Sequence, residues 1–329
     1  MTFQLFCGDE SQWDDCFSAA DFQTPFQTAN WGRIKALEGW TSLRVWDPQN
    51  RSGIQFLRKT IMRGVSILWA PSVRIPAVND YPSLTSCLEN TCSRLFYARI
   101  GFAASQDSDA SASISESYQT WSQLTTHLGA PTNYLLRILP KEDDQFALCS
   151  SNWKRNLTRG LKRTILIEFG DSIDSRNLAR IIKEMYAYKS FQKNDWRCSP
   201  TTLGSYFSAF GHSQITVSVR ARNGDLLALR SAVVIGTNAF DMIAATTLSG
   251  RKSYASYAAI WQLINELRKQ GVCTYDLGGT DLIANPGVHN FKSGLGGQLI
   301  INPPDLEVSN PRFLRRVAHT VIKTRSVSE

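Results

Sequence analysis

The residues best suited to chemistry lie in the stretch YDLGGTDLIANPGVHNFKSGLGG, at positions 275–297. Asp276 ends a short strand-like run before a glycine pair, and Lys292 is the one lysine of the helix-like turn that follows. A fixed ammonium group stabilises an oxyanion that develops in a transition state, and glycines allow a bound substrate to approach the backbone closely. The alternatives are a surface lysine after a helix C-cap, and an aspartate that caps its own turn.

Conventional catalytic motifs are missing from the sequence. It contains no P-loop, no GxSxG elbow, no HExxH and no GxGxxG. The four histidines, at positions 127, 212, 289 and 319, are too dispersed to predict a metal site, and none is placed convincingly as a general base. We therefore expect no metal, and the general base is left unassigned.

Composition predicts a globular, cytoplasmic protein. The 329 residues suffice for about two domains, with 43% hydrophobic and 19% charged residues. No apolar run approaches the length of a membrane span, and the acidic N-terminus does not resemble a signal peptide. Seven scattered cysteines without a CxxC pair predict reduced thiols.

Positive charge is concentrated in the second half of the chain. Residues 1–150 carry a net charge of −3 and residues 151–329 a net charge of +11. Two tracts without acidic residues, KRNLTRGLKR at 154–163 and PRFLRRVAHTVIKTR at 311–325, contribute most of it. Each alone could be a solvated helix face, but together they favour a phosphate-bearing partner.

Periodicity predicts the same order of elements in both halves: helix, antiparallel strands, helix, strand. In the second half, Asn223-Gly224 predicts a tight hairpin, and residues 253–271 predict an amphipathic helix capped by Gly271. A basic helix is expected at about 145–163, an exposed loop at 104–117 and a further helix at 117–129.

This order is that of the GNAT acyltransferase fold, present twice. The sequence thus predicts an α/β (α+β) protein with two GNAT-like domains, residues 1–145 and residues 146–329, the second with a basic C-terminal helix. A GNAT protein that uses acetyl-CoA carries a glycine-containing diphosphate loop before the helix that follows the meander. Here that position reads GRKSYAS, at 250–256, where the central glycine is absent and Tyr254 would crowd the backbone amides. This argues against acetyl-CoA.

Three stretches in the order TPFQTANWGRIKALEGW, SNWKRNLTRGLKR and YDLGGTD…NPGVHNFKSGLGG resemble the Fem-type aminoacyltransferases, which build peptidoglycan cross-bridges. The late signature of that family is an aspartate-glycine-glycine strand end, then a phenylalanine-lysine pair and a glycine-rich turn. Leu295 stands where the family usually has phenylalanine. The retained residues are Asp276, Gly278, Gly279, Phe291, Lys292, Gly294, Gly296 and Gly297.

The resemblance implies two GNAT-like domains packed around a central cleft, without the coiled-coil arm of some members. It implies aminoacyl-tRNA as co-substrate, with no other cofactor and no metal. The acceptor would be an amine on a cell-wall precursor or a peptide-like natural product. No integral membrane segment is expected, and the oligomeric state is left open.

The resemblance also implies roles for individual residues. Lys292 would be the catalytic lysine, with Asp276 orienting an amine. Lys35 would hold the phosphates of the acceptor, against the alternative of a helix-surface lysine, and Arg197 would be a second phosphate contact. Further substrate contacts are Tyr206, Tyr254, Tyr257 and Phe291, although the tyrosines could equally be packing residues. The tRNA-binding residues would be Lys154, Arg155, Arg159, Lys162, Arg163, Arg315 and Arg316.

Two other functions stay open at this point. One is an acyl-CoA-dependent N-acyltransferase of polysaccharide or envelope assembly on the same fold. The other is a catalytically inactive RNA-binding protein that keeps the fold for its basic surface. The first requires CoA binding, whereas the second requires tRNA binding without preference for the charged form.

Overall fold

A computed structural model describes residues 3–18, 24–61, 64–74, 80–92, 95–105, 120–163, 165–170, 173–188, 195–280, 282 and 285–327. The chain forms two compact units. Unit 1 comprises Met1–Thr132 and Ile300–Glu329, and unit 2 comprises Asn133–Leu299.

Unit 1 is built on a seven-stranded sheet in the order β1-β2-β3-β4-β5-β14-β6. Leu68, Phe96, Ile100 and other apolar side chains of these strands form its core with α3. The pairing is antiparallel except for β4 and β5, which are parallel and joined by α3. The strands are β1 Gln4–Leu5, β2 Thr41–Asp47, β3 Ser52–Thr60, β4 Ser66–Val73, β5 Phe96–Phe102, β6 Ser122–Gln123 and β14 Leu306–Asn310; the helices are α1 Glu10–Ser18, α2 Ala29–Ala36, α3 Tyr81–Thr91 and α11 Leu314–Val327.

Unit 2 is built on a second seven-stranded sheet in the order β13-β7-β12-β11-β10-β9-β8. Its core lies between the sheet and the long helix α9, with Trp153, Trp261 and Tyr275 among the buried side chains. The strands are β7 Thr132–Arg137, β8 Ile165–Phe169, β9 Gln214–Ala221, β10 Leu226–Ile235, β11 Asn238–Thr246, β12 Thr274–Gly279 and β13 Gln298–Ile301; the helices are α4 Glu142–Leu148, α5 Ser151–Lys162, α6 Ser175–Tyr188, α7 Pro200–Phe210, α8 Leu248–Lys252, α9 Ala255–Lys269 and α10 Pro286–Gly294.

The two units repeat one topology. Each has an antiparallel meander, β2-β3-β4 or β9-β10-β11, and then a helical crossover into a parallel neighbour. This is the predicted repeat of helix, meander, helix and strand. The longest described helix, α9, has 15 residues, so the described part of the chain contains no coiled-coil arm.

The division into units differs from the predicted domains in two places. The sequence predicts the C-terminal segment in the second domain, but β14 pairs with β5 from Leu306↔Ile100 to Asn310↔Phe96, which brings α11 into unit 1. The first boundary falls at residue 132 rather than near 145, because β7 pairs with β12. Both differences arise from strand pairings between residues far apart in sequence.

Two local predictions are corrected by the structure. The described part of the helix expected at 117–129 holds the short strand β6 instead, with Trp121 buried in the core of unit 1. The basic helix expected at about 145–163 is divided into α4 and α5, because Cys149 has an extended backbone and the Ser150 hydroxyl caps α5 by accepting from Trp153 N at 3.3 Å. Most of the loop expected at 104–117 lies outside the described residues.

Candidate active site

The candidate site lies where two parallel strands of unit 2 part. Strands β11 and β12 pair from Asn238↔Thr274 to Phe240↔Asp276, and the pairing ends there. Beyond Asp276 the chain turns through Gly278, whose φ of +75° is a conformation that favours glycine. The carboxyl end of β12 is therefore free to present its backbone carbonyls to the following helix.

Lys292 lies on that helix, α10, which begins at Pro286, a residue well suited to a first helical turn. Its side chain is buried, at 6% exposure. The ammonium group donates to the carbonyl oxygens of Gly278 at 2.8 Å and Gly279 at 2.7 Å. A buried ammonium group is costly unless it is hydrogen-bonded, so these carbonyls fix the position of the charge. The interpretation of Lys292 as a surface lysine is therefore wrong.

The Asp276 carboxylate is also held in place by hydrogen bonds. Both carboxylate oxygens accept from Asn133 Nδ2 at 3.0 Å, and Oδ1 also accepts from Gly278 N at 2.8 Å. The last contact is the turn cap that the sequence offered as an alternative role. Burial raises the pKa of the Asp276 carboxyl above its ordinary 3.8, although these hydrogen bonds and the charge of Lys292 act in the opposite direction.

Aromatic side chains pack against Phe291, in the last turn of α10. The Phe291 ring packs edge-on against Tyr257 at 4.9 Å between centroids and lies 6.1 Å from Trp153. The Tyr257 hydroxyl accepts from Asn156 Nδ2 at 3.1 Å, so its ring is held from both ends. The structure thus places Phe291 against Tyr257 and places the Lys292 ammonium on the carbonyls that follow Asp276, and the shared role of these four residues stays a prediction.

A buried ion pair next to this site was missed by the sequence reasoning. Arg230 Nη1 donates to Asp241 Oδ2 at 2.7 Å, and the Tyr275 hydroxyl donates to Asp241 Oδ1 at 2.8 Å. The Arg230 guanidinium lies 5.4 Å from the Phe291 ring centroid. Burial alone would lower the pKa of the Arg230 guanidinium, but Asp241 and Tyr275 together stabilise its charged form and the pKa is raised. A charged residue inside the apolar run DLLALRSAVVI was the available signal.

Arg197 and Tyr206 lie on a neighbouring part of unit 2. The Arg197 guanidinium donates to both carboxylate oxygens of Asp195 and, at 3.3 Å, to Met242 O on β11. The Tyr206 ring is fully buried, and its hydroxyl is 3.1 Å from Ser231 Oγ. Burial raises the pKa of the Tyr206 hydroxyl. Arg197 is thus held in an ion pair, and Tyr206 is a core residue.

The position of a GNAT diphosphate loop is occupied by helix α8. Its amides are already used: Gly250 N donates to Thr247 Oγ1 at 3.0 Å, and Arg251 N to Thr247 O at 2.9 Å. Tyr254 N donates to Arg251 O at 3.2 Å, in a left-handed conformation with φ of +60°. Backbone amides that a diphosphate would need are therefore engaged within the turn itself.

The basic tract of the middle of the chain forms one face of α5. Its opposite face, with Trp153 and Leu157, is buried, and a Cβ on Gly160 would lie 2.8 Å from Tyr254 O. Lys154 donates to Ala147 O at 3.0 Å. The exposed basic residues of this face are Arg155, Arg159, Lys162 and Arg163.

Helix α8 extends this surface. Arg163 Nη1 donates to Lys252 O, and the guanidinium groups of Arg159 and Arg163 each lie 5.7 Å from the Tyr254 ring centroid. Arg251 and Lys252 are exposed beside them and were not predicted as binding residues. We call the six exposed cations of this region the α5 basic surface: Arg155, Arg159, Lys162, Arg163, Arg251 and Lys252.

The remaining predicted residues belong to unit 1. Lys35 is buried on α2, where its ammonium forms an ion pair with Glu38 and lies 5.6 Å from the Trp31 ring centroid. It is therefore not a partnerless helix-surface lysine. Arg315, on α11, is 3.3 Å from the buried Glu307 carboxylate, whereas Arg316 is exposed. Arg315 thus has a structural partner of its own.

Neither a metal site nor a disulfide occurs among the described residues. They contain no group of three histidine, cysteine, aspartate or glutamate side chains arranged for a metal ion. All seven cysteines are described and none is in a disulfide. Within the same part of the chain, no helix combines the length and apolar character needed to span a membrane.

No protein-family model and no curated protein sequence matches this chain. Its fold is similar to the crystal structure of FemX, with a TM-score of 0.76 and 14% identity over 94% of this chain and 99% of that one. It is also similar to the C-terminal DUF2156 domain of a putative lysylphosphatidylglycerol synthetase from Agrobacterium fabrum, with a TM-score of 0.53 and 14% identity over 95% and 98% of the two chains.

A tandem GNAT protein from the clavulanic acid biosynthesis pathway is similar as well, with a TM-score of 0.52 and 10% identity over 93% of this chain and 97% of that one. At these identities the likeness concerns the fold. The chain therefore has a Fem-like double GNAT fold, and the predicted α/β (α+β) class is confirmed.

Proposed function

We propose that this protein is a transferase enzyme: a tRNA-dependent aminoacyltransferase that forms an amide bond. The acceptor amine attacks the ester carbonyl of an aminoacyl-tRNA, a C–N bond forms, and the C–O bond to the terminal ribose breaks. The tRNA hydroxyl leaves with one proton, and the amine loses one. The single observation that carries this proposal is the buried Lys292 ammonium, fixed by Gly278 O and Gly279 O beside Asp276 in a Fem-like fold.

Lys292 stabilises the oxyanion of the tetrahedral transition state. An ester carbonyl oxygen gains negative charge only when the amine adds, so a fixed cation favours the transition state over the bound substrate. Because the ammonium is already desolvated and oriented, it needs no reorganisation during the reaction. Loss of one such donor typically costs about 3–4 kcal/mol, or a factor of about 10²–10³ in rate.

Asp276 orients the acceptor amine. Asn133 and the Gly278 amide hold its carboxylate at the end of β12. Its raised pKa makes it a stronger base than an exposed aspartate. An acceptor that arrives as an ammonium ion must lose a proton before it attacks, and Asp276 is the carboxylate of the site that is fixed next to Lys292.

Phe291 and Tyr257 contribute the apolar wall of the site, with Tyr254 at its outer edge, 6.2 Å from Tyr257 between ring centroids. Lys35 and Arg197 are proposed contacts for phosphates on the acceptor. Both have carboxylate partners, Glu38 and Asp195, so a phosphate would have to compete with or join an existing ion pair. Tyr206 packs against Trp196, the neighbour of Arg197, at 5.3 Å between ring centroids, and so supports Arg197 from the core of unit 2 rather than by direct substrate contact.

The α5 basic surface is proposed to bind the tRNA backbone. Exposed cations on one surface, with an aromatic ring among them, are typical of phosphate recognition. Lys154 and Arg315 contribute less because each has a protein partner, while Arg316 provides an exposed cation in unit 1. A charged tRNA donor also implies a cytoplasmic protein. The acceptor is an amine on a cell-wall precursor or a peptide-like natural product.

The acyl-CoA alternative is disfavoured by helix α8. The amides of Gly250, Arg251 and Tyr254 already donate to oxygens of Thr247 and Arg251, so these three N–H groups are not available to a CoA diphosphate. An inactive RNA-binding protein would not require a lysine buried at an energetic cost and fixed on two carbonyls. These observations support the transferase over both alternatives.

The test is an aminoacyl-transfer assay. Bacterial tRNA charged with labelled amino acids is incubated with the protein and a small-molecule extract, and new amides are followed by mass spectrometry. Lys292→Met removes the ammonium and keeps side-chain length, whereas Lys183→Met removes an exposed lysine of α6 as a matched control.

We expect amides that disappear after RNase treatment of the tRNA and fall by about 10²–10³-fold in Lys292→Met, but not in Lys183→Met. Acylation supported only by acetyl-CoA would replace this proposal with the acyl-CoA alternative. Binding of tRNA without transfer, and without preference for the charged form, would identify an RNA-binding protein instead.

A further inference from the structure

The ion pair between Arg230 and Asp241 has no part in the chemistry proposed above. Burying this pair nevertheless costs free energy. The two side chains are only 10% and 8% exposed, and the desolvation of their opposite charges offsets much of the attraction between them. Such a pair adds little net stability over apolar residues of the same size. Its position beside the site calls for another explanation.

The pair completes a closed chain of contacts that includes Lys292. Arg230, on β10, lies against Phe291, which immediately precedes Lys292 on α10. Asp241, on β11, receives the hydroxyl of Tyr275, which immediately precedes Asp276 on β12. The ring is completed by Lys292 itself, whose ammonium donates to the carbonyls at the end of β12.

We propose that Arg230 and Asp241 are positioning residues for Lys292. The guanidinium holds the Phe291 ring through a cation–π contact, and the carboxylate holds both that guanidinium and β12. Together they fix α10 relative to the end of β12. This determines how closely the Lys292 ammonium is seated on Gly278 and Gly279. The consequence for catalysis rests on the proposed function, whereas the seating of Lys292 does not.

A purely structural role makes a different prediction. Removing only one partner leaves a buried unpaired charge and destabilises the fold in either case. The double variant Arg230→Met/Asp241→Asn removes both charges and leaves an amide oxygen that can accept the Tyr275 hydroxyl, so a structural role predicts restored stability and an unchanged site. A positioning role predicts restored stability with a poorly seated Lys292. Arg230→Lys keeps a cation opposite Asp241 and serves as the conservative variant.

The experiment measures the reactivity of Lys292 directly. The full-length protein is treated with low concentrations of acetic anhydride, and acetylation of each lysine peptide is timed by mass spectrometry. Exposed Lys183 is the internal control in every sample. In the double variant we expect Lys292 to react about 2- to 30-fold faster than in the wild type, the factor equivalent to a cation–π contact. Arg230→Lys should show a smaller increase.

Unchanged Lys292 acetylation in a folded double variant, or an equal increase at Lys183, would overturn the proposal. If the double variant does not fold, Arg230→Lys decides: faster acetylation supports positioning and no change refutes it. In the transfer assay we expect kcat to fall with KM for aminoacyl-tRNA unchanged. If the wild type transfers nothing, the proposed function fails, while the acetylation result still decides whether Arg230 and Asp241 position Lys292.

Discussion

The strongest test of the proposed tRNA binding by the α5 basic surface is its salt dependence. Each phosphate neutralised by a protein cation releases counterions, so the slope of log K against log salt changes by about 0.7–0.9 per contact. The structure identifies cations that can be removed without disturbing the fold. Arg155 is exposed and donates from Nη2 to Asn152 Oδ1 of its own helix at 2.6 Å, and Lys162 is exposed on the same face.

The double variant Arg155→Ala/Lys162→Ala should therefore weaken the slope by about 1.4–1.8. Alanine is the best helix former, so α5 should keep its stability. The matched control is Arg176→Ala/Lys183→Ala, which removes two exposed cations from α6 and the same net charge from the protein. We expect the control to change the slope by much less.

The assay is a filter-binding or fluorescence titration with uncharged tRNA at several salt concentrations between about 50 and 200 mM, the range over which phosphate contacts dominate. Equal slopes for the two double variants would show that tRNA senses only net charge, and would refute the assignment of α5. A wild-type slope near zero would refute electrostatic tRNA binding altogether. A thermal melt of each variant confirms that the fold is intact.

Three further predictions concern stability and reactivity. Gly250→Ala should lower the free energy of unfolding, measured in urea, by about 1–3 kcal/mol, because its Cβ would lie 2.0 Å from the Leu227 carbonyl oxygen of β10. The control Gly287→Ala, whose Cβ would have no atom within 4 Å, should have no such effect. Equal stabilities of the two variants would contradict the close packing of α8. The folded pKa of Asp276 is raised, so the stability it contributes is complete below pH 3.8 and is lost as pH rises through the folded pKa. The free energy of unfolding of the wild type, relative to that of Asp276→Asn, should therefore fall over this interval. A rise would show that the pKa is lowered instead. Burial raises the pKa of the Cys149 thiol to about 11. A thiol reagent at about pH 8 should therefore modify the exposed Cys273 quickly and Cys149 only when the protein unfolds. Rapid modification of Cys149 in the folded protein would contradict its burial.

Local sequence signals predicted those parts of the fold that depend on local physics. Asn223-Gly224 does join β9 and β10, with Gly224 at a φ of +88°. The amphipathic pattern of 253–271 became α9, followed by Gly271 at a φ of +75°. Turn conformations and helix faces depend on a few neighbouring residues, so a sequence read locally contains the necessary information.

The placement of the C-terminal segment depends on distant residues instead. In β14, the Glu307 carboxylate accepts from Tyr97 at 2.8 Å and is 2.7 Å from His319 Nε2. Asp305 binds Arg99 at 2.8 Å, with both side chains almost fully buried. The partners are 210 positions apart for Glu307 and Tyr97 and 206 positions apart for Asp305 and Arg99. Contacts over such distances leave no periodic signal in the sequence. A basic C-terminal tract therefore predicted a helix correctly but not the unit to which it belongs.

The candidate site was predicted as far as its residues share a contiguous motif. Asp276 and Lys292 lie 16 positions apart in one stretch of sequence, and a family resemblance covers both. The Arg230–Asp241 pair spans two strands of a meander whose register shifts between Ser231 and Ala232. A one-residue shift changes which side chains share a face of the sheet, so alternation along β10 and β11 could not predict this pair.

The arrangement of charges around Lys292 is consistent with the catalytic role proposed for it. The cations of unit 2 near the end of β12 each have an anionic or carbonyl partner: Lys292 has Gly278 O and Gly279 O, and Arg230 has Asp241. The cost of desolvating them is therefore met when the chain folds, before any substrate arrives. In the proposed reaction, the transition-state oxyanion would meet a cation that is already desolvated and oriented, which is the condition under which an electrostatic contact gives the largest rate enhancement.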